Sequence, residues 1–173
     1  MPERMTDDSV FSTDVPSEIE PVRKSIRVKA SPEKAFRIFT QEMDTWWPRT
    51  YHIGSSPMKR LVVEGKSGGN IYTEQEDGTV CPWASVRTWE PPNLFVMVWQ
   101  VSPEWQYEPN VERCSEVEVR FTPVDDGTTL VELEHRGIQK HAGACVRMRE
   151  QVNAESGWGS LLTMFAEKAG GLA

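Results

Sequence analysis

The feature that most limits the fold is a long segment, residues 60 to 135, in which apolar and polar side chains alternate. Its clearest part is SEVEVRFTPVDDGTTLVELEHRGI, where Val117, Val119 and Phe121 alternate with charged residues. The dipeptide Asp126-Gly127 marks a tight turn within it. A period of two predicts strands, and tight turns predict that neighbouring strands are antiparallel. One face of this sheet is apolar, so it needs a cover on that side only.

Further turn signals divide the segment into several strands. Gly68-Gly69 predicts a turn or bulge, Asp77-Gly78 predicts a hairpin turn, and the sequence EPPN at 90–93 separates the last two strands before the main hairpin. A half-buried strand is also predicted upstream, at residues 22 to 30, from the partial alternation in VRKSIRVKA.

A short helix follows this first strand. Ser31 suits the N-cap, Pro32 suits the first helical position, and Pro48 is expected to end the helix. The apolar positions at helical spacing are Phe36, Phe39, Met43 and either Trp46 or Trp47. Adjacent helical residues point about 100° apart, so only one of the two tryptophans can complete the apolar stripe.

The last segment, residues 142 to 169, is predicted to form one long amphipathic helix, weakened locally by Gly157 and Gly159. It is the element long enough to cover the apolar face of the sheet. The element order therefore predicts an α+β fold, in which a curved antiparallel sheet is wrapped around a long C-terminal helix. The short first helix and its loop should lie at the mouth of any space left between sheet and helix.

Composition narrows the partners and the location. The chain has 26 acidic and 19 basic residues and a net charge of −7, which disfavours nucleic acid and anionic membranes. No apolar run approaches the ~20 residues of a membrane span, and the N-terminus lacks the apolar core of a signal peptide. We expect a cytoplasmic protein, with residues 1–20 as a disordered acidic tail and residues 21–173 as a single domain.

The motifs of metal and cofactor sites do not occur in the sequence. Cys81, Cys114 and Cys145 are far apart and form no CxxC pair, and the three histidines form no recognised ligand spacing. There is no GxSxG elbow and no phosphate-binding GxxxxGK loop. We therefore predict no metal and no cofactor, and thiols that are structural or incidental rather than catalytic.

Seven tryptophans are many for one domain of this size. Tryptophan combines a large apolar area with one N–H group, so it suits either a dense core or the apolar wall of a ligand site. The candidate ligand-binding residues are Trp46, Trp47, His52, Trp83, Trp99, His135, Gln151, Glu155 and Trp158. One of Trp46 and Trp47 is expected in the core, and the other at the pocket mouth beside His52.

Two of these candidates have a structural alternative. His135 shares the inward face of its strand and needs a hydrogen-bond partner, so it is either a satisfied corner residue or a polar point on a ligand wall. Glu155 projects, like Gln151, onto the apolar stripe of the predicted C-terminal helix. It is either a cavity carboxylate or, if Gly157 distorts the helix, a residue that reaches water or an arginine such as Arg87.

These segments resemble the START-like, or SRPBCC, superfamily, and within it the proteins similar to the activator of the heat-shock protein 90 ATPase. The matching segments, over about residues 22 to 170, are SPEKAFRIFTQEMDTWWP, GGNIYTEQEDGT, VRTWEPPNLFVMVWQV, SEVEVRFTPVDDGTTLVELEHRGI and GWGSLLTMFA. The resemblance implies the helix-grip fold of START domains and birch-pollen allergens. The superfamily includes lipid carriers, hormone-binding proteins, polyketide cyclases and oxygenase subunits, so the fold alone does not assign the chemistry.

The sequence therefore predicts binding of a small, largely apolar ligand in an internal cavity between the sheet and the C-terminal helix. A cyclase or hydrolase that uses Glu155 or His135 as acid or base is an alternative, although the absence of catalytic motifs leans away from an enzyme. A third hypothesis is a protein-interaction module like the chaperone activator, which would have a filled core and an exposed apolar patch. The sequence leaves a homodimer and a chaperone partner open.

Overall fold

Seven antiparallel strands form a single curved sheet in the computed structural model, which describes residues 16–173. The strands are β1 (Val22–Val28), β2 (Met58–Val63), β3 (Asn70–Gln75), β4 (Val80–Glu90), β5 (Leu94–Trp99), β6 (Ser115–Asp125) and β7 (Thr128–Arg136). Their order in the sheet is β1-β7-β6-β5-β4-β3-β2. Register shifts interrupt four of the strand pairings, and such bulges bend a sheet.

The helices are α1 (Pro32–Phe39), α2 (Cys145–Asn153) and α3 (Ser160–Lys168), and a π-helical turn (Glu155–Gly159) lies between the last two. The curled sheet together with the C-terminal helical segment is the helix-grip arrangement, so the predicted fold class is confirmed. The predicted turns at Asp77-Gly78, EPPN and Asp126-Gly127 also lie between the strands that they were expected to join.

The β6–β7 hairpin shows why the alternation was informative. Its inward-facing pairs are Val117–His135, Val119–Leu133 and Phe121–Val131. All six of these residues are at most 2% exposed. On the outer face, Arg136 forms ion pairs with Glu116, Glu118 and Glu134, which balances the acidic residues that the two strands bring together. The sheet therefore buries one face and leaves the other to water.

Helix α1 begins as predicted but ends earlier. The Ser31 hydroxyl accepts a hydrogen bond from the Lys34 N–H at 3.2 Å, as an N-cap does. The helix stops at Phe39 because Thr40 donates both its N–H and its hydroxyl to the Phe36 carbonyl, and such local side-chain bonds compete with continued helix. The prediction that the helix continues to the tryptophan pair is wrong: a separate 3-10 turn, Met43–Thr45, precedes Trp46.

The C-terminal segment is not one continuous helix. Residues 138–144 form a 3-10 turn, and the chain is non-helical at Gly157, with φ −91° and ψ −126°. A Cβ atom on this glycine would clash with the Val152 carbonyl oxygen, so the backbone approaches itself here as only glycine allows. The prediction of a single helix over 142–169 is corrected to two helices with a break between them.

The N-terminal boundary is only partly described. Most of the predicted tail, residues 1–15, lies outside the described residues, and the domain limits remain a prediction. Ile19 packs against the core, and Arg149 donates from Nε to the Glu20 carbonyl at 2.6 Å. Within residues 16–173, none of the helices has both the length and the apolar character needed to cross a membrane.

Candidate functional site

A half-enclosed cavity of about 620 Å³ lies between the sheet and the broken part of the C-terminal segment. Three parts of the chain line it. The lining residues are Trp47, Thr50, Tyr51, His52 and Ile53 from the loop after α1; Trp83, Trp99, Val101 and Trp105 from β4, β5 and the following loop; and Glu150, Gln151, Val152, Ala154, Ser156, Gly157, Trp158 and Leu161 from the C-terminal segment. The cavity is where sequence reasoning expected it, at the loop that follows the first helix.

The adjacent tryptophans Trp46 and Trp47 have different surroundings, although each is only 5% exposed. Trp46 packs against Phe39 and Phe165 in the core, with ring centroids 5.2 and 5.7 Å away, and donates its indole N–H to the Ile38 carbonyl. Trp47 lines the cavity and donates its N–H to the Tyr51 carbonyl at 2.8 Å. Trp46 is therefore the core member of the pair, and Trp47 is a buried part of the cavity wall rather than an exposed rim.

Four tryptophans of the lining form a closed circuit of ring contacts, which we call the tryptophan wall: Trp47, Trp83, Trp99 and Trp158. Successive ring centroids around this circuit are 5.2, 5.6, 5.8 and 6.2 Å apart. The first contact is stacked and the others are edge-on, which are the arrangements that aromatic pairs prefer. The wall presents rigid apolar surface to whatever occupies the cavity.

A buried hydrogen-bonded chain lies behind the tryptophan wall. Trp158 donates its indole N–H to Nδ1 of His135 at 3.0 Å, so neutral His135 carries its proton on Nε2, which is 2.7 Å from the Ser115 hydroxyl. The Ser115 hydroxyl and backbone N–H both approach Nε2 of His141, at 2.7 and 3.0 Å. Burial lowers the pKa of His135 to about 3 and that of His141 to about 4, so both stay neutral near pH 7.

Six of the nine candidate residues line the cavity: Trp47, His52, Trp83, Trp99, Gln151 and Trp158. Trp46, His135 and Glu155 do not. The ligand-binding role of these six residues remains a prediction. They are spread over positions 47 to 158 of the sequence, and the fold brings them together around one cavity.

His135 and Glu155 were candidate ligand-binding residues, but both lie outside the cavity lining, each for its own reason. Both ring nitrogens of His135 are hydrogen-bonded and the residue is fully buried, which fits the alternative of a satisfied corner residue. Glu155 lies in the π-helical turn and is exposed, so its expected position on an apolar helical stripe is wrong. The break at Gly157 gives Glu155 access to water, whereas Arg87 pairs with Glu116 instead.

Two polar atoms in the lining have no hydrogen-bond partner. Among the described residues, the buried side-chain atoms that lack one are Trp99 Nε1, Gln139 Oε1 and Gln151 Oε1. Trp99 and Gln151 both belong to the cavity lining. An unpaired buried polar group costs about 1–3 kcal/mol, so each such atom in the lining needs a physical explanation, and a hydrogen bond to a bound molecule is one.

Sequence reasoning missed Trp105 and Tyr51 as lining residues. Trp105 is 44% exposed and has a left-handed backbone, with φ +61°, a conformation that costs about 1 kcal/mol or more in a non-glycine residue. The Tyr51 hydroxyl donates to the Ser156 carbonyl at 2.9 Å and so ties the loop after α1 to the helix break. An aromatic residue within the polar loop SPEWQYEP was the available signal for Trp105.

The described residues include no group of three or more His, Cys, Asp and Glu side chains arranged to hold a metal ion. The cysteines are free, and burial raises the pKa of the Cys114 thiol to about 11, which keeps it protonated at neutral pH. The functional case therefore rests on the cavity.

Comparison with known proteins agrees with this fold. The family model for activator of Hsp90 ATPase homolog 1-like proteins matches residues 29–170. The anthrahydroquino-Gama-pyrone synthase Txn09, solved as a complex, is 34% identical with a TM-score of 0.62, over 88% of this chain and 98% of that one. The self-sacrificing resistance protein CalC from Micromonospora echinospora is 27% identical with a TM-score of 0.59, over 86% of this chain and 93% of its own.

A further structure, the protein MLL2253 from Mesorhizobium loti, is 18% identical with a TM-score of 0.61, over 86% of this chain and 95% of that one, and shows the fold alone. None of the curated proteins matches the chain. The family model spans nearly all of the sheet and the C-terminal helices, and the chain belongs to the family of activator of Hsp90 ATPase homolog 1-like proteins.

Proposed function

We propose that the protein binds a small, planar, largely apolar ligand in the cavity. The observation that carries this proposal is a cavity of about 620 Å³ with a wall of four mutually packed tryptophans. Ligand sites are typically clefts of ~300–1,000 Å³ that are lined by apolar and aromatic side chains with a few polar groups. Flat aromatic walls favour flat ligands, because stacking and edge-on contacts need extended ring surfaces.

Apolar burial would supply the main favourable free energy of such binding. Covering roughly 300 Å² of ligand surface contributes roughly 7.5 kcal/mol at ~25 cal/mol per Å², before the entropy cost of association. The remaining affinity and the orientation of the ligand would come from a few polar atoms of the lining.

The comparison with Txn09 supports the aromatic character of the ligand. Txn09 is named an anthrahydroquino-Gama-pyrone synthase, a name that refers to flat fused rings, and it is 34% identical over 98% of its own length. The same identity favours a second candidate function, cyclase-type catalysis on an aromatic polyketide. His52, which lines the cavity and accepts the Gly54 N–H on Nδ1 at 3.2 Å, is then the candidate acid or base, in place of Glu155 or His135.

The two candidates differ in turnover. A ligand released from the purified protein by denaturation should keep its mass and absorption spectrum when returned to substoichiometric protein if the protein only binds it. Conversion of many equivalents, abolished by His52→Phe, would instead establish catalysis.

A chaperone-related function and a homodimer stay predictions. The family name refers to an activator of the Hsp90 ATPase, but an interaction module was expected to have a filled core, and here the space beside the sheet is open. This contrast is why the ligand-binding function is preferred.

Native mass spectrometry of freshly purified protein tests the proposal, followed by fluorescence titration with fluorene as a planar apolar probe. Ala154 lies in the lining, so Ala154→Trp should obstruct the cavity and weaken fluorene binding at least tenfold. Val146 is 52% exposed on α2 and outside the lining, so Val146→Trp is the matched control and should bind like the wild type. Absence of fluorene binding by the wild type, or equal binding by Ala154→Trp, would contradict the proposal.

A further inference from the structure

The polar atoms of the tryptophan wall are not equivalent. Trp47 donates its N–H to the Tyr51 carbonyl, and Trp158 donates its N–H to His135. Trp99 is 6% exposed, and its Nε1 atom has no hydrogen-bond partner among residues 16–173. Of these three indole donors, the protein satisfies two internally and leaves the buried donor of Trp99 unpaired.

An unpaired acceptor accompanies this donor in the same lining. Gln151 Oε1 comes from α2, on the opposite side of the cavity from the sheet, and it is also buried and lacks a partner within the described part of the chain. The lining therefore combines one unused donor on a strand with one unused acceptor on a helix. Leaving either atom unpaired costs about 1–3 kcal/mol, which a ligand of complementary chemistry can recover.

We propose that the ligand is an aromatic ketone or quinone that carries a hydroxyl group. Its carbonyl oxygen accepts from Trp99 Nε1, and its hydroxyl donates to Gln151 Oε1, while its rings contact the tryptophan wall. This inference rests on the proposed function and specifies the chemical class and the polar anchors. Both atoms are covered by protein, so a ligand reaches them only if the side chains beside them move.

Three probes of similar shape separate the apolar contact from the two proposed hydrogen bonds. Fluorene has no oxygen, 9-fluorenone adds a carbonyl acceptor, and 2-hydroxyfluorene adds a hydroxyl donor. Trp99→Phe retains an aromatic ring and removes the N–H, so it should weaken fluorenone binding about tenfold more than it weakens fluorene binding. Gln151→Met retains the length of the side chain and removes the acceptor, so it should weaken 2-hydroxyfluorene binding about tenfold relative to its effect on fluorene binding.

The stability of the unliganded protein provides an independent readout. Trp99→Phe removes an unpaired buried donor together with part of a packed ring, so it should lower the melting temperature less than a variant that also breaks a hydrogen bond. Trp158→Phe is the matched control, because it deletes an indole N–H that is bonded to His135 at 3.0 Å. It should lower the melting temperature.

The outcomes distinguish this inference from the proposed function. If the wild type binds none of the three probes, both fail. If fluorene binds but Trp99→Phe affects fluorene and fluorenone equally, and Gln151→Met does not discriminate 2-hydroxyfluorene, only the polar-anchor inference is overturned. A drop in melting temperature for Trp99→Phe as large as that for Trp158→Phe would also overturn it. That drop would show that the N–H already has a partner, such as the face of the His135 ring, whose centroid is 5.4 Å from that of Trp99.

Discussion

The space between the sheet and the C-terminal segment has two halves built from the same kinds of side chain. Around α3, Phe39 contacts Phe121, Phe165 and Trp46 in solid packing, with centroids 5.1 to 6.0 Å apart. Around the helix break, the tryptophan wall has equally close ring contacts but borders an open cavity. Aromatic content therefore does not distinguish the filled core from the open cavity. The two differ in whether the C-terminal segment that covers the sheet is a continuous helix or a broken one.

The helix break separates the two halves. Helix α3 lies against the core through Leu162, Phe165 and Ala166, each at most 2% exposed. Before it, the chain turns out of helical geometry at Gly157, and this residue lines the cavity. The filled half coincides with a continuous helix, and the open half coincides with its interruption.

The largest expected effect is on the filled half. Trp46→Ala removes a ring that is packed on Phe39 and Phe165, so it should lower the free energy of unfolding by ~3–5 kcal/mol. Trp47→Ala, its neighbour at equal exposure, should cost less because it enlarges an existing cavity, and it should weaken fluorene binding more than Trp46→Ala does. Urea unfolding measures the stability of both variants. Equal losses of stability and of binding would remove the distinction between the halves.

Low pH should destabilise the protein through the buried hydrogen-bonded chain behind the tryptophan wall. His135 and His141 have folded pKa values of about 3 and about 4, below the ~6.5 of an unfolded histidine, so the unfolded state binds more protons between these limits. Their contribution to stability is complete above about pH 6.5 and is lost as the pH falls, at ~1.4 kcal/mol per pH unit for each histidine.

Urea unfolding at pH 6.5 and at pH 5 measures this loss. His141→Gln keeps an acceptor for Ser115 but cannot titrate, so it should show about half of the wild-type pH dependence that the histidines cause. A pH dependence that is unchanged in His141→Gln would contradict the assignment of buried, neutral histidines.

A third prediction tests the helix break itself. Gly157→Ala places a Cβ atom against the Val152 carbonyl, so it should destabilise the protein by ~1–3 kcal/mol, as overpacking does. Gly159→Ala is the matched control, because its Cβ would meet no atom closer than 3.9 Å and it lies at a helical position. It should be neutral or stabilising by up to ~1 kcal/mol. Thermal unfolding that ranks the two variants in the opposite order would show that the break is not required.

The smallest effect on stability is expected at the cavity mouth. Trp105→Gly removes a side chain that is 44% exposed and relieves its left-handed backbone, so it should change the free energy of unfolding by less than ~1 kcal/mol. It should nevertheless weaken fluorene binding, since Trp105 lines the cavity. A loss of stability as large as that of Trp46→Ala would place Trp105 in the core instead.

Local patterns account for the parts of the fold that sequence reasoning predicted. The alternation around Val119 and the Asp126-Gly127 turn depend on residues close in sequence, so they identified the β6–β7 hairpin. The cap at Ser31 is likewise local. The early end of α1 at Thr40 was not predicted, and a distortion at Gly157 was only one alternative beside a single long helix, because each depends on backbone contacts that spacing does not encode.

The site shows the same division. Two adjacent tryptophans predicted one core residue and one cavity residue, but only tertiary packing assigned Trp46 to the core. The partners of His135 are Ser115, 20 residues before it, and Trp158, 23 residues after it, so the alternation could indicate its burial but not its hydrogen bonds. Trp105 was missed because it lies in a loop between two elements, where no alternation or helical spacing indicates which way a side chain points.

The indole N–H resonances of the seven tryptophans offer the most direct test of the two halves. Two-dimensional ¹H–¹⁵N NMR spectra, assigned by single Trp→Phe variants and recorded with and without fluorene, report on all of them in one titration. The resonances of the five cavity residues, Trp47, Trp83, Trp99, Trp105 and Trp158, should shift on binding. Trp89 lies outside the lining and packs against Phe36 and Phe95, so its resonance and that of Trp46 should stay nearly unchanged. Shifts of Trp46 and Trp89 as large as those of the cavity residues, or no shifts at all, would contradict a ligand site confined to the open half.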